Sequence, residues 1–237
     1  MKIIGVSTVK DEPNIGRTIR HLVSQGVTHV ILSTDLGDHA YVDAHGQGAT
    51  IEWTICQVPF DQGAEITRLA HAAADRGADW IVPFDADEYW TGNDCTIREA
   101  LSVLSPMVDF TSAPMYQYVS PDFRHEKKKP LPKIAFRPCE GMVVAWGSHS
   151  VTGPSSYSTA VDLIVRELQY ESYTHFLTKI DKARQLHAQP HMADHQHGSH
   201  MWRLCQMDEA QLKAEWDQMM SVPVVYDPIP GSDKWTT

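Results

Sequence analysis

The stretch DWIVPFDADEYW, residues 79–90, joins an apolar run to three closely spaced carboxylates. Its first half is rich in β-branched and aromatic residues and predicts a buried strand over 79–85. Three earlier runs predict further strands: 2–9, 28–34 and 50–58. Apolar residues at helical spacing lie between these strands, over 15–23 and 63–77. Strands that alternate with helices in this way predict an α/β fold with a mixed, mostly parallel sheet flanked by helices.

The second half of the chain has a different pattern. Thr96 followed by Glu99 is the signature of a capping box and predicts a short helix. Segments of strand character predict an antiparallel extension of the sheet: 108–118, 133–138 and 142–146. Helical spacing returns in two segments, 171–187 and 201–220, and a Pro- and Gly-containing tail is expected to be an extended strap. We expect a core over 1–165 and a helical C-terminal extension of the same domain over 166–237.

Composition excludes some classes of protein. The formal net charge of -10 and the isoelectric point near 5.6 argue against nucleic acid as a partner, since phosphate binding needs clustered Lys and Arg. The short basic run 127–129 is expected to be a solvated loop. Four widely spaced cysteines are typical of free thiols in a reducing compartment. No apolar stretch approaches the roughly 18 residues of a membrane span, so we expect a cytoplasmic protein.

Charged residues follow the first, second and fourth predicted strands directly: Lys10, Asp11, Glu12, Asp35, Asp38, Asp85, Asp87 and Glu88. The carboxyl ends of parallel strands meet at one edge of a sheet, which is where ligands bind in such folds. These side chains are therefore expected to lie together on one rim.

Asp85 and Asp87 are expected to point to the same side of a strand, since side chains alternate with period two. Two carboxylates this close repel each other unless a cation lies between them. Oxygen ligands of this kind favour Mg²⁺ or Mn²⁺, which also bridges substrate phosphates. The alternative is that one aspartate caps a turn and Glu88 is solvated. The D-x-D pattern alone does not decide between the two.

Four segments carry a resemblance to a known family: VKDEPNIGRTIRHLVSQGVTHVIL (9–32), WIVPFDADEYW (80–90), KIAFRP (133–138) and GSHSV (147–151). Their order and spacing resemble the family 2 glycosyltransferases of the GT-A fold, most of all the bacterial branch whose aspartate motif reads D-x-D-E. The resemblance implies a GT-A-like fold and an inverting glycosyltransferase. Such an enzyme moves a sugar from a nucleotide-diphosphate donor, here a UDP-sugar, to a saccharide or lipid-linked acceptor.

The resemblance also implies roles for individual residues. The expected nucleotide-sugar-binding residues are Val9, Lys10, Glu12, Asp35, Arg68, Asp85 and Ala86. The expected ligands of a divalent cation, Mn²⁺ or Mg²⁺, are Asp85, Asp87 and His149. The cation would neutralise the departing diphosphate. Asp35 is equally well explained as a turn aspartate, and Arg68 as a surface arginine paired with Glu65 or Asp75.

Inversion requires a carboxylate base on the face of the sugar opposite the diphosphate. The candidates are Glu88, Asp122, Glu140 and Glu167, of which Glu140, Asp122 and Glu167 are the expected catalytic residues. Two positions depart from the family pattern, because Glu167 stands where a histidine is expected and Glu171 where an arginine is expected. In the same segment three residues fit the family: Ser172, Phe176 and Lys179.

A histidine cluster and two other classes of function stay open. The histidines are His187, His191, His195, His197 and His200. They could bind a metal, but Pro190 and Gly198 interrupt a helix here and favour a loop on the acceptor side. The other classes are a metal-dependent nucleotidyltransferase, although STVKDEPN lacks the usual Gly-rich phosphate loop, and a non-catalytic carbohydrate-binding protein. Peripheral membrane association is compatible with a lipid-linked acceptor.

Overall fold

The computed structural model describes residues 1–9, 12–34, 48–56, 60–153, 158–160, 162–187 and 199–235. A seven-stranded sheet lies at the centre of the described fold. Its strands are, from one edge to the other, Ser158–Ala160 (β12), Phe110–Ala113 (β6), Lys133–Phe136 (β9), Trp80–Pro83 (β4), Ile3–Val9 (β1), His29–Thr34 (β2) and Thr50–Ile55 (β3). Neighbouring strands are parallel except where β9 pairs with β4 and with β6.

Helices cover both faces of this sheet because the side chains of β1 alternate between two apolar clusters. Ile3 packs in the cluster that contains the buried face of helix α1, Ile15–Ser24. Ile4 and Val6 pack in the cluster that contains the buried face of helix α2, Gln62–Asp75. A strand that is buried on both faces has a continuous apolar sequence, as in IIGVSTV.

The described ranges contain four further helices: Ile97–Ser102 (α3), Tyr173–His187 (α4), Ser199–Cys205 (α5) and Glu209–Met220 (α6). The capping box predicted before α3 is confirmed, with the Glu99 N–H donating to Thr96 Oγ1 at 3.2 Å and the Thr96 N–H donating to Glu99 at 2.8 Å. The single helix predicted over 201–220 is wrong. Asp208 and Gln211 form a second capping box, which starts a new helix at that point.

A second sheet packs beside the first. Its strands are, in spatial order, Val224–Tyr226 (β14), Phe123–Lys128 (β8), Met115–Ser120 (β7), Leu163–Glu167 (β13) and Glu88–Gly92 (β5). The predicted antiparallel extension is thus divided, since β6 and β9 join the central sheet and β7 joins the second one. A small hairpin pairs Val143–Val144 (β10) with Val151–Thr152 (β11), on either side of a 3-10 turn at Trp146–Ser148.

The basic run 127–129 is not a solvated loop. Lys127 and Lys128 end strand β8, and the Lys129 ammonium donates to Glu167 at 2.6 Å. The loop prediction rested on charge alone. Charge does not indicate that Lys129, directly after a strand, lies opposite the carboxylate of Glu167.

The tail after Pro223 forms the expected strap, with a strand inside it. β14 pairs antiparallel with β8, and a 3-10 turn at Ser232–Lys234 follows. The Trp235 ring lies 4.7 Å from the Tyr89 ring. The Arg17 guanidinium lies over the Trp235 ring, 4.4 Å from its centroid. The C-terminal extension is therefore helical in α4 to α6 and returns to the second sheet at its end.

The predicted fold class is confirmed. The chain is an α/β protein with a mixed, mostly parallel central sheet, helices on both faces and a helix-rich C-terminal extension. Within the described ranges, none of the helices has the length and apolar character that crossing a bilayer requires.

Candidate functional site

A cavity of about 450 Å³ opens at the carboxyl ends of β1 and β4. Among the described residues, it is bordered by the end of β1, the turn after β4, the end of β13, the inner face of α4 and the start of α2. The lining residues are Thr8, Glu12, Phe60, Gln62, Asp85, Ala86, Asp87, Glu167, Gln169, Lys179, Lys182, Ala183, Gln185 and Met201. Of the residues predicted to share one rim, Glu12, Asp85 and Asp87 line this cavity, and Ala86 and Glu167 line it with them. Lys10, Asp11, Asp35 and Asp38 lie outside the described residues.

The aspartate motif lies in a turn between β4 and β5. The Phe84 N–H donates to the Val6 carbonyl at 3.0 Å, which continues the pairing of β4 with β1 for one residue. The Glu88 N–H then donates to the Asp85 carbonyl at 3.0 Å, and the Asp85 N–H donates to the Glu88 carboxylate at 3.1 Å. The prediction that both aspartates extend a strand is wrong, because the chain reverses at 86–87. Both still line the same cavity.

Contacts with other elements fix this turn in place. Thr18 on α1 donates its hydroxyl to the Ala86 carbonyl. The Leu168 N–H donates to the Asp87 carbonyl at 2.9 Å, so the end of β13 is held beside the turn. Glu167, the residue before Leu168, is thereby placed in the cavity wall next to Asp87.

Lys133, which does not itself line the cavity, contacts the carboxyl groups of Asp85 and Glu88. Its ammonium lies 2.7 Å from Asp85 and 2.8 Å from Glu88, and its side chain is only 2% exposed. Although burial alone raises the pKa of Asp85, the nearby Lys133 holds it below its usual range. Burial raises the pKa of Glu88 well above its usual value despite the same lysine. Of the two carboxyl groups, Asp85 is therefore the one that Lys133 holds more firmly in the ionised form.

A second lysine meets the other aspartate. Lys179 on α4 donates to Asp87 Oδ2 at 2.6 Å, and both side chains are largely buried. Burial lowers the pKa of Lys179, whereas the Asp87 carboxylate raises it. The second effect prevails, so the pKa of Lys179 lies above its usual value. Lys179 is thus a fixed cation within the cavity wall.

Glu167 and Glu12 have the properties of carboxylates in a functional cavity. Burial and the neighbouring Asp87 raise the pKa of Glu167, while Lys129 at 2.6 Å opposes the shift. Burial likewise raises the pKa of Glu12. Carboxylates with raised pKa values in a cavity are typical of acid–base groups.

The expected divalent cation can be tested against these contacts. Among the residues that the structure describes, no group of three or more His, Cys, Asp or Glu side chains could hold a metal ion. Asp85 and Asp87 each have an ammonium group at hydrogen-bonding distance. His149 donates its Nδ1–H to the Pro132 carbonyl at 2.7 Å and does not line the cavity. The described donors therefore do not fit a bound cation.

Two candidate bases lie away from the cavity. Glu140 is exposed in the turn before β10. Asp122 is exposed at the turn between β7 and β8, where it lines a different cleft with the C-terminal strap. Neither lines the cavity that contains the aspartate motif, so Glu167 is the candidate base that the structure brings to it.

The remaining nucleotide-binding predictions have mixed outcomes. Val9 is buried at the end of β1, 3% exposed, and can offer only its backbone. Arg68 donates to Glu65 at 3.1 Å, which is the ion pair foreseen as its alternative, and it does not line the cavity. Lys10 and Asp35 lie outside the described residues. Most of the histidine cluster also does, and the side chains of His187 and His200 are not described.

The contacts of Glu171 explain why a glutamate stands where the resemblance predicts an arginine. Asn14 donates to the Glu171 carboxylate at 2.8 Å, and Arg17 forms an ion pair with the same oxygen. Glu171 therefore connects the start of α4 to α1. An arginine at this position would face Arg17, so the two charges belong together.

Sequence reasoning did not predict that Lys129, Lys133 and Lys179 pair with carboxylates at this site. Two signals were present. Lys133 starts an apolar strand, and a lysine in such a strand is rarely buried without a partner. Lys179 lies three residues after Phe176 and four before Ala183, on the inward face of its helix.

Comparisons with known proteins give similarity in structure only. No family model matches the chain, and no curated protein matches it. HddC from Yersinia pseudotuberculosis has a TM-score of 0.38 and 12% identity, over 73% of this chain and 82% of that one. A UDP-glucose pyrophosphorylase complexed with UDP-glucose has a TM-score of 0.37 and 8% identity, over 76% of this chain and 80% of that one. A putative glucose-1-phosphate thymidylyltransferase from Bacillus anthracis, in complex with a sucrose, has a TM-score of 0.37 and 12% identity, over 93% of this chain and 84% of that one.

Proposed function

We propose that this chain is a glycosyltransferase that takes a sugar from a nucleotide-diphosphate donor and transfers it to a hydroxyl group of a saccharide or lipid-linked acceptor. The observation that supports it most is the shared cavity. Five residues predicted for this chemistry from sequence motifs line one space at the carboxyl ends of β1 and β4: Glu12, Asp85, Ala86, Asp87 and Glu167. Ligands of parallel α/β folds bind at this edge of the sheet.

The size and polarity of the cavity suit such a donor. Its volume of about 450 Å³ falls in the range of roughly 300–1,000 Å³ that is common for ligand sites. The ribose hydroxyls can donate to carboxylates such as Glu12 or Asp85, which accept short, strong hydrogen bonds. Lys179 and Lys182 supply positive charge on the opposite wall.

Glu167 is the proposed general base. As the acceptor oxygen attacks the sugar C1, a new C–O bond forms and the bond from C1 to the diphosphate oxygen breaks, with both electrons leaving on the diphosphate. The acceptor proton passes to the Glu167 carboxylate. Attack opposite the leaving group inverts the anomeric centre. Lys129, at 2.6 Å, orients the carboxylate before the transfer.

A panel of donors tests this proposal. The purified protein is incubated with UDP-, GDP-, dTDP- and CMP-sugars, with and without oligosaccharide or lipid-linked acceptors, and the released nucleotide is quantified. We expect one class of nucleotide-diphosphate sugar to release its nucleoside diphosphate faster when an acceptor is present. Asp87→Ala should lose this release because Lys179 then has no partner in the cavity wall, whereas the exposed Asp217→Asn on α6 should keep it.

Two results would contradict the proposal. One is release of pyrophosphate from a nucleoside triphosphate in the presence of a sugar phosphate, which is the reaction of a nucleotidyltransferase. The other is binding of saccharides without any turnover or binding of nucleotide, as expected for a carbohydrate-binding protein.

A further inference from the structure

The aspartate motif already has positively charged partners from the chain itself. Lys133 lies between Asp85 and Glu88, and Glu88 is fully buried. Removing this ammonium would leave a buried carboxyl group without its partner. A divalent cation bound at Asp85 would face Lys133 as a neighbouring positive charge. Asp85 is therefore neutralised by a group that cannot easily be displaced.

Lys179 is held against Asp87 by the packing of its helix. Phe176 and Ile180, on either side of it in α4, are buried in the apolar cluster of the C-terminal helices. This packing fixes the position from which the Lys179 side chain reaches Asp87 Oδ2 at 2.6 Å. An ammonium group has three N–H donors, so one directed at Asp87 leaves others for oxygens of a ligand.

We infer that Lys179 and Lys182 bind the diphosphate of the donor, in place of the divalent cation that the aspartate motif predicts. Both residues line the cavity, and they lie three residues apart on one face of α4. This inference rests on the proposed function and specifies how its donor is held. Asp87 is then a positioning residue for Lys179.

The two lysines would stabilise the negative charge that develops on the leaving group. When the bond between C1 and oxygen breaks, the diphosphate gains negative charge at the oxygen that it keeps. An ammonium group that is already held in place by Asp87 stabilises that charge without having to reorient. Asp87 keeps Lys179 protonated, since the carboxylate raises the lysine pKa despite burial. No proton needs to leave the lysine during the reaction.

Calorimetry tests the inference with UDP, GDP, dTDP and inorganic pyrophosphate as probes, each measured in EDTA and in MnCl₂. We expect at least one probe to bind the wild-type protein with a Kd that differs by less than about threefold between the two conditions. Lys179→Ala should weaken binding in EDTA by about ten- to a hundredfold, as expected for a lost charged hydrogen bond. Mn²⁺ should restore part of this loss, because Asp87 is then available to bind it.

Lys179→Arg and Asp181→Asn are the matched variants. Lys179→Arg keeps the charge and should lose less affinity than Lys179→Ala. Asp181 is 65% exposed on the same helix, and its substitution should leave binding unchanged. If Lys179→Ala does not fold, the comparison of EDTA with MnCl₂ on the wild-type protein decides whether a divalent cation is needed. Lys182→Ala, which should also weaken binding in EDTA, then tests the pair of lysines, and unchanged binding would overturn their role.

The outcomes separate this inference from the function on which it rests. Wild-type binding that appears only with Mn²⁺ would overturn the inference and leave the proposed function standing. Failure of every probe to bind in both conditions would overturn both. Binding in EDTA that Lys179→Ala does not weaken would also overturn the role of Lys179.

Discussion

Replacing Glu167 by glutamine is expected to lower kcat for sugar transfer by about 10²- to 10⁴-fold, the usual contribution of a general base. Glutamine keeps the size of the side chain but cannot accept the acceptor proton. Donor affinity should change much less, since the carboxylate acts on the acceptor. Single-turnover measurements with the donor that the panel identifies would separate the two effects.

Glu140→Gln and Asp122→Asn are the controls for this experiment. Both residues are candidate bases by sequence, and both are exposed away from the cavity, so their substitution should leave kcat within about threefold of wild type. A loss of kcat in either control with full activity in Glu167→Gln would show that the base has been assigned wrongly.

The pH dependence of sugar transfer should also reflect the protonation of Glu167. A base must be deprotonated to act, and burial and Asp87 raise the pKa of Glu167. Activity should therefore fall as the pH decreases through a pKa above that of an ordinary glutamate. An acid limb at the position of an unshifted carboxyl group would contradict the assignment.

Replacing Lys133 by methionine is expected to destabilise the protein by about 3–5 kcal/mol, the cost of removing one partner from a buried ion pair. Glu88 is 0% exposed and Lys133 is 2% exposed, so water cannot take the place of the ammonium. Urea unfolding followed by circular dichroism measures the change. The loss should shrink at lower pH, because the buried Glu88 then takes up a proton and no longer needs a cation.

Two further variants make this result specific. Lys133→Met combined with Glu88→Gln should recover part of the stability, since no buried carboxylate is then left at position 88. Lys213→Met, at an exposed pair with Asp217 on α6, should change stability by less than about 1 kcal/mol. Equal effects of Lys133→Met and Lys213→Met would show that the buried network contributes little.

The fold was predictable from sequence because its core strands are buried on both faces and their helices are regular. The strand IIGVSTV is a short continuous apolar run, and the helices after it have apolar residues at helical spacing. Element boundaries were less accurate where local hydrogen bonds decide them. Asp208 with Gln211 ends one helix and begins another, although the apolar spacing continues across the break.

The site was predictable only in its acidic half. Carboxylates that follow parallel strands are brought together by the sheet, so Asp85, Asp87 and Glu12 could be assigned to one rim. The lysines reach this rim from β9, from the end of β8 and from α4, which are distant in sequence. Lys133 is 48 residues from Asp85, and Lys179 is 92 from Asp87. Periodicity describes each element by itself and does not indicate which elements meet.

We expect the cavity between the aspartate motif and α4 to hold the diphosphate of a nucleotide donor. A crystal structure with the nucleoside diphosphate that binds in calorimetry would show where the diphosphate lies. We predict that the phosphate oxygens lie within hydrogen-bonding distance of Lys179 Nζ, with the ribose near Glu12 or Asp85. A nucleotide bound at any other surface, with this cavity filled by water alone, would contradict the account.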